Sequence, residues 1–176
     1  PAYAGSPPLT GPEAERFLLE AEVVDIEQFE SLGVTEPRRA VLRDGDRTAR
    51  ALWKTHDEFE PLKTVPPDEK VTRFRDSYRH EVAAYRVSER LGLGLVPATV
   101  ERTIGTATGS LQMWVEDATI EYDRIQADRD PSDRDAWDRR RNSLWAYLQL
   151  IDDMDYRNLA NLLVTGEFEI YKVDNS

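Results

Sequence analysis

Residues 154–176, MDYRNLANLLVTGEFEIYKVDNS, place an Asp and two Asn just before one apolar run and an Asp at the end of the next. A turn does not call for so many oxygens at one end of a hairpin, but a hard cation does. Mg²⁺ takes oxygen ligands and completes its shell with substrate phosphates and water. Antiparallel strands of similar length bring the start of one beside the end of the other, here Asn161 beside Asp174. Asp155 adds a carboxylate a few residues upstream. Further back, Lys54 lies in ALWKT, where alternation puts it on one face with Leu52 and leaves Ala51, Trp53 and Thr55 on the other. Glu81 stands three residues after Tyr78 and four before Tyr85, on the apolar flank of a helix, where an acid needs a partner. Lys54 is the natural one. Phosphoryl transfer asks for such a set: a cation on the phosphates, an acid orienting it, metal ligands, and a carboxylate facing the acceptor hydroxyl. Taken singly, these residues read as a solvated lysine, a surface ion pair and turn formers. Their order along the chain favours chemistry.

The elements that must position them are readable. EAEVVDIEQF (20–29) is expected to be a strand, and turn signals at Gly33 and Asp44-Gly45-Asp46 make a three-stranded antiparallel meander ending in ARALWKT. Residues 57–75, polar around VPPDEK, read as a loop. DSYRHEVAAYRVSERLGLG is a helix capped by Asp76 or Ser77, with Tyr78, Val82, Tyr85 and Leu91 as its stripe and Gly92 as its stop. Two strands follow, LVPATVERTI and GSLQMWVED, joined by a Gly- and Thr-rich turn. The second runs into a connector, where backbone groups of Trp114, Val115 and Glu116 are candidates to meet an adenine edge. A second helix is expected after a cap at Ser132, with Trp137, Leu144, Leu148 and Ile151 inward. The closing hairpin turns at Gly166.

Composition sets outer limits. The chain has 176 residues, 40% hydrophobic and 32% charged, which suits a globular protein of one domain or one and part of another. A net charge of −11 disfavours nucleic acid and anionic membranes as main partners. No apolar run approaches the ~20 residues of a membrane span. The protein therefore reads as soluble, cytoplasmic or exported after removal of a signal peptide. With no Cys and two His, disulfides and a zinc site are not expected. No Gly-x-Ser-x-Gly or Walker-type motif is present.

FRDSYRHEVAAYRVSERLGLGLVPATVERTIGTATGSLQMWVED followed by LIDDMDYRNLANLLVTGEFEIYKVDNS resembles bacterial proteins of the atypical kinase superfamily, related to the HipA-like and phosphatidylinositol 3-/4-kinase-like folds. The resemblance covers roughly residues 17–176. After a stretch whose small, Pro-rich opening reads as a flexible lead-in (1–16), it implies an α+β, protein-kinase-like fold: an antiparallel five-stranded small lobe with one helix (17–118), and a partial large lobe (119–176) with a helix and a catalytic hairpin. That fold would continue beyond Ser176, so Trp137, Leu144, Leu148, Leu162, Val164, Ile170 and Val173 would be exposed. By the same resemblance the cofactors are ATP and Mg²⁺ and the acceptor is an unknown protein or small molecule. Lys54 would contact phosphate, Glu81 would anchor it, Asp155 would be the catalytic acid or base, and Asn161 and Asp174 would bind metal. Gly33 would cover the nucleotide and Trp114, Val115 and Glu116 would hold its base.

The sequence departs from the family pattern at four places. Tyr156 is an apparent insertion, Ala160 replaces Gly, Asn175 replaces His, and the nucleotide-covering turn has Gly33 alone. The insertion leaves two registers, Asp155 with Asn161 or Asp153 with Asn158, of which the first puts its Asn directly before the apolar strand. The departures also leave room for a pseudokinase-like nucleotide-binding or interaction module without catalysis, or for an excised piece that cannot act alone.

Overall fold

The computed structural model describes residues 9–28, 37–65, 69–153 and 155–175. Gly33 lies outside them. The chain is α+β. Helix α1 (Gly11–Glu20) precedes the meander β1 (Glu22–Gln28), β2 (Arg38–Asp44) and β3 (Arg47–Lys54). A hairpin, β4 (Asp57–Val65) and β5 (Glu69–Ser77), leads into helix α2 (Tyr78–Arg90). Then come β6 (Thr99–Ile104), β7 (Ala107–Met113), the short β8 (Thr119–Ile120), α3 (Glu121–Gln126) and α4 (Arg134–Leu150). The chain closes with a 3₁₀ turn at Leu159–Asn161, β9 (Leu162–Val164) and β10 (Ile170–Lys172).

The main sheet has five antiparallel strands in the order β1-β2-β3-β7-β6. The turn at Gly45, with φ +57°, sets the β2–β3 register, so Asp44 faces Arg47 and Arg38 faces Trp53. Strand β8 pairs with β9, and β9 with β10, to make a second sheet. A single buried cluster runs from Phe17 and Leu18 of α1 through Trp53, Tyr85 and Leu111 to Leu148 and Ile170.

Two whole segments differ from expectation. In place of the loop expected over 57–75, residues 57–65 and 69–75 form most of the β4–β5 hairpin, a two-stranded sheet of its own. Cross-strand and same-strand charge pairs hold it, such as Lys63–Glu58 at 2.8 Å, and Lys63 also lies over the Phe74 ring at 4.2 Å. A hairpin built from charged residues and Pro61, with neither strand flanked by a further one, carries little apolar pattern. The lead-in assigned to 1–16 contains the start of α1. Pro12 sits in its first turn, where a missing N–H costs nothing, and Ala14, Phe17 and Leu18 bury its inner face. The Arg102 guanidinium caps its far end, donating to the carbonyls of Leu18 and Ala21, both at 2.7 Å.

Helix α2 begins where expected. Ser77 is its cap, accepting from the Arg79 N–H at 3.3 Å. Leu91, assigned to its stripe, lies beyond its end and is exposed. The cap of α4 is Asp133 rather than Ser132, accepting from the Ala136 N–H at 2.9 Å. The apolar residues expected to be exposed near the chain's end are not: Trp137, Leu144, Leu148, Leu162, Val164 and Ile170 are all buried and Val173 partly so. Among the described residues, no helix is long and apolar enough to cross a membrane.

One glycine bears directly on Lys54. A Cβ at Gly109 of β7 would fall well inside 3.0 Å of the Lys54 carbonyl oxygen and would also press on Thr55. The obstruction is backbone and cannot swing aside. Gly109→Ala is therefore expected to force β3 and β7 apart locally and cost about 1–3 kcal/mol. Urea denaturation of the variant beside wild type measures it, and a loss of only a few tenths would show the contact to be soft.

Candidate functional site

Alternation along β3 sends Ala51 and Trp53 into the core and leaves Lys54 on the other face, at the strand's end. Its ammonium donates to Glu81 Oε1 at 2.6 Å and to Asp174 Oδ1. The Lys54 and Glu81 side chains are 10% and 4% exposed, so this is a buried pair and not a surface bridge. Burial alone would lower the lysine pKa, but the charges of Glu81 and Asp174 outweigh it and hold the ammonium above its ordinary value. The stability this pairing lends is present below the ordinary lysine pKa and is lost as pH rises through the raised one.

Glu81 is held from its other side by Asn175. The Asn175 backbone N–H lies 3.2 Å from both carboxylate oxygens, and its Nδ2 donates to Oε2 at 2.8 Å. Three segments far apart in sequence thus converge on one carboxylate: the end of β3, the first turn of α2, and the stretch after β10. Asp174 itself has φ +58°. That left-handed backbone costs a residue with a Cβ about 1–2 kcal/mol, and Asp is among those that tolerate it best.

The hairpin brings the remaining candidates to the same end. Lys172 faces Leu162 in the β9–β10 register, and one residue further the Val173 N–H donates to the Asn161 carbonyl at 2.9 Å. The Asn161 side chain donates through Nδ2 to Asp155 Oδ2 at 2.8 Å, and Asn158 Nδ2 donates to the same oxygen at 2.8 Å. Asp155 is exposed, with one carboxylate oxygen fixed by two amides. Asp153 is buried, and its Oδ1 accepts the Asp155 N–H at 2.8 Å. In this geometry Asp155 keeps company with Asn161, and Asp153 serves the interior.

The connector is more occupied than its sequence indicates. The Trp114 N–H donates to the Arg50 carbonyl at 3.0 Å, and the Arg50 guanidinium lies over the Trp114 ring and pairs with the Glu116 carboxylate. The Trp114 N–H is therefore spent within the sheet.

Lys172 was missed altogether. It is buried, with its ammonium donating to the carbonyls of Val173 at 3.0 Å and Asp174 at 2.6 Å. A signal existed: period-2 alternation puts Lys172 on the face of Ile170, an inward residue. Asn175 stood out in the sequence only as a departure from pattern, yet it forms the clamp on Glu81. Among the described residues no three His, Cys, Asp or Glu side chains converge on a metal position. A cation here would rest on one Asn, Asp174 and oxygens from outside the chain. An open cleft of about 380 Å³ on the α1–α2 surface, lined by Glu15, Tyr85, Arg86, Glu89 and Arg90, shares no residue with this set. No family model matches the chain, and no curated protein matches it.

Proposed function

We propose that the chain is an ATP- and Mg²⁺-dependent phosphotransferase with the kinase-like fold of the atypical kinases, 17–118 forming the small lobe and 119–176 part of the large one. The observation that carries this reading is the Lys54 ammonium held between Glu81 and Asp174. The sheet order β1-β2-β3-β7-β6, with α2 between its third and fourth strands in chain order, supports the small-lobe assignment.

Each residue then has a task. Lys54 holds phosphate oxygens while Glu81, clamped by Asn175, fixes where its ammonium sits. Asn161 and Asp174 offer hard oxygens that suit Mg²⁺, which binds through one or two protein groups plus phosphates and water. Bound there, the ion neutralises charge on the phosphates. Val115 and Glu116 are left to meet the adenine edge. Asp155 faces the acceptor hydroxyl with the oxygen that the two Asn amides leave open. The acceptor oxygen bonds to the terminal phosphorus, the bond to the bridging oxygen breaks, ADP departs, and the hydroxyl proton passes to Asp155.

A second reading, nucleotide binding without transfer, is favoured by the departures from the family pattern at Tyr156, Ala160 and Asn175. One experiment separates the two. Thermal unfolding is followed with MgATP, with ATP plus chelator, and with Mg²⁺ alone, and the MgATP sample is then weighed by mass spectrometry for added phosphate. MgATP at about 100 times its Kd should stabilise the chain by about 2.7 kcal/mol, well beyond either component. Stabilisation with no phosphate on the chain or on an added acceptor panel would favour the second reading. No stabilisation at millimolar MgATP would overturn both.

A further inference from the structure

Lys172 and Asp153 stand outside the residues just given roles, and both side chains are 1% exposed. Two isolated buried charges are expensive to keep, and a pair of apolar residues of similar volume is often as stable or more so. Stability alone is therefore a poor account of why this pair is there. Its bonds suggest another.

Lys172 reaches toward the end of the chain. Its ammonium takes the carbonyls of Val173 and Asp174, one just before and one just after the left-handed Asp174 Cα. Asp153 reaches toward the turn after α4, where its Oδ1 accepts the Asp155 N–H. Between the two, Asp153 Oδ2 lies 3.1 Å from the ammonium but off the line of a hydrogen bond. The link is therefore chiefly coulombic. It does not depend on one narrow angle, and it pulls the two segments together along the whole approach.

We infer that Lys172 and Asp153 are a positioning pair that sets Asp155 and Asp174 relative to one another, so that the acceptor-facing carboxylate and the metal-binding one move as a unit. This rests on the proposed phosphotransferase reading for its purpose, though not for its geometry. The β9–β10 hairpin already ties Asn161 to Val173 through the backbone. The ion pair adds a second tie on the far side of Asp155, and two ties fix an orientation where one leaves a hinge.

The test uses Asp153→Asn and the double variant Asp153→Asn/Lys172→Met. The single variant keeps an acceptor for the Asp155 N–H and leaves Lys172 its two carbonyls, which limits the cost of the stranded ammonium. The double variant removes both charges together and avoids stranding either. Two readouts are taken: MgATP affinity by calorimetry, and the backbone amide resonances of Asp155 and Asp174 without nucleotide. The expected result is a folded protein whose MgATP affinity falls about tenfold or more, in the range seen when an outer partner of a metal site is lost. Both amides should shift together while that of Leu52 stays. Lys172→Arg, which keeps the charge and the donors, should restore part of the affinity. Unchanged affinity, or movement of the Asp155 amide alone, would overturn the inference. If wild type binds no MgATP, the phosphotransferase reading fails by itself. The paired amide shifts then decide the positioning link: joint movement upholds it and separate movement sinks it.

Discussion

Replacing Lys54 with Met is expected to abolish phosphate transfer and to destabilise the fold by about 3 kcal/mol, near the low end for breaking a buried ion pair. The methionine fills the space of the lysine stem, so little of the loss is packing. It comes from Glu81, left 4% exposed with its cation gone. Asn175 softens the blow, since its donations to the carboxylate remain. The two effects can be pulled apart. Adding Glu81→Gln removes the stranded charge, so the double variant should recover most of the lost stability. It should recover none of the transfer, because no ammonium returns to meet phosphate. Chemical denaturation and a phosphate-transfer assay on the four proteins of this cycle give the answer. If transfer returned together with stability, Lys54 would be a structural residue only.

Asp174→Asn should do the reverse, sparing the fold and losing the ligand. Asn tolerates the left-handed backbone as readily as Asp, so the +58° angle at this position is no obstacle. The Asp174 side chain is 38% exposed, and an ion pair so open to water contributes at most about 1 kcal/mol. Removing the charge is not expected to relieve much repulsion, because the Lys54 ammonium lies against both Asp174 and Glu81 and offsets part of it. What disappears is the anionic oxygen that a divalent ion needs. MgATP affinity should fall about a hundredfold, a difference of about 2.7 kcal/mol by calorimetry, with thermal stability nearly unchanged. Equal affinity in the two proteins would reduce Asp174 to a turn residue and remove the metal from the proposed mechanism.

Much of this arrangement was legible from residue order. The Asp44-Gly45-Asp46 turn gave the β2–β3 hairpin, Ser77 gave the start of α2, and the neighbours of Glu81 on that helix announced an acid with a buried partner. What stayed hidden was held by forces that leave little apolar pattern. Helix α1 opens with Gly-Pro, a linker signal, and is kept in place by Phe17, Leu18 and the Arg102 cap from a distant strand. The β4–β5 hairpin is knit by charges. Spacing alone also left Asp153 and Asp155 both open, and the sequence favoured Asp155 only because Asn161 directly precedes the apolar strand. Burial separates them, and burial of Asp153 depends on Lys172, an alternation signal easily passed over for a charged residue.

The contacts around Lys54 also differ in the length of chain they enclose. The Lys54–Glu81 bond spans 27 positions, the Asn175–Glu81 bonds 94, and the Lys54–Asp174 bond 120. Each doubling of a closed loop adds about 0.6 kcal/mol of entropic cost, so the longest of these is harder to close than the shortest by a little over 1 kcal/mol. The strand and helix can join early, from nearby chain, whereas the Asp174 limb must wait for the remote segments to dock. In a chain that opens by parts, that limb is also the first to let go. Competence would then arrive with the last event of folding and leave with the first event of unfolding, and a half-assembled molecule would carry Lys54 with only one of its two acids.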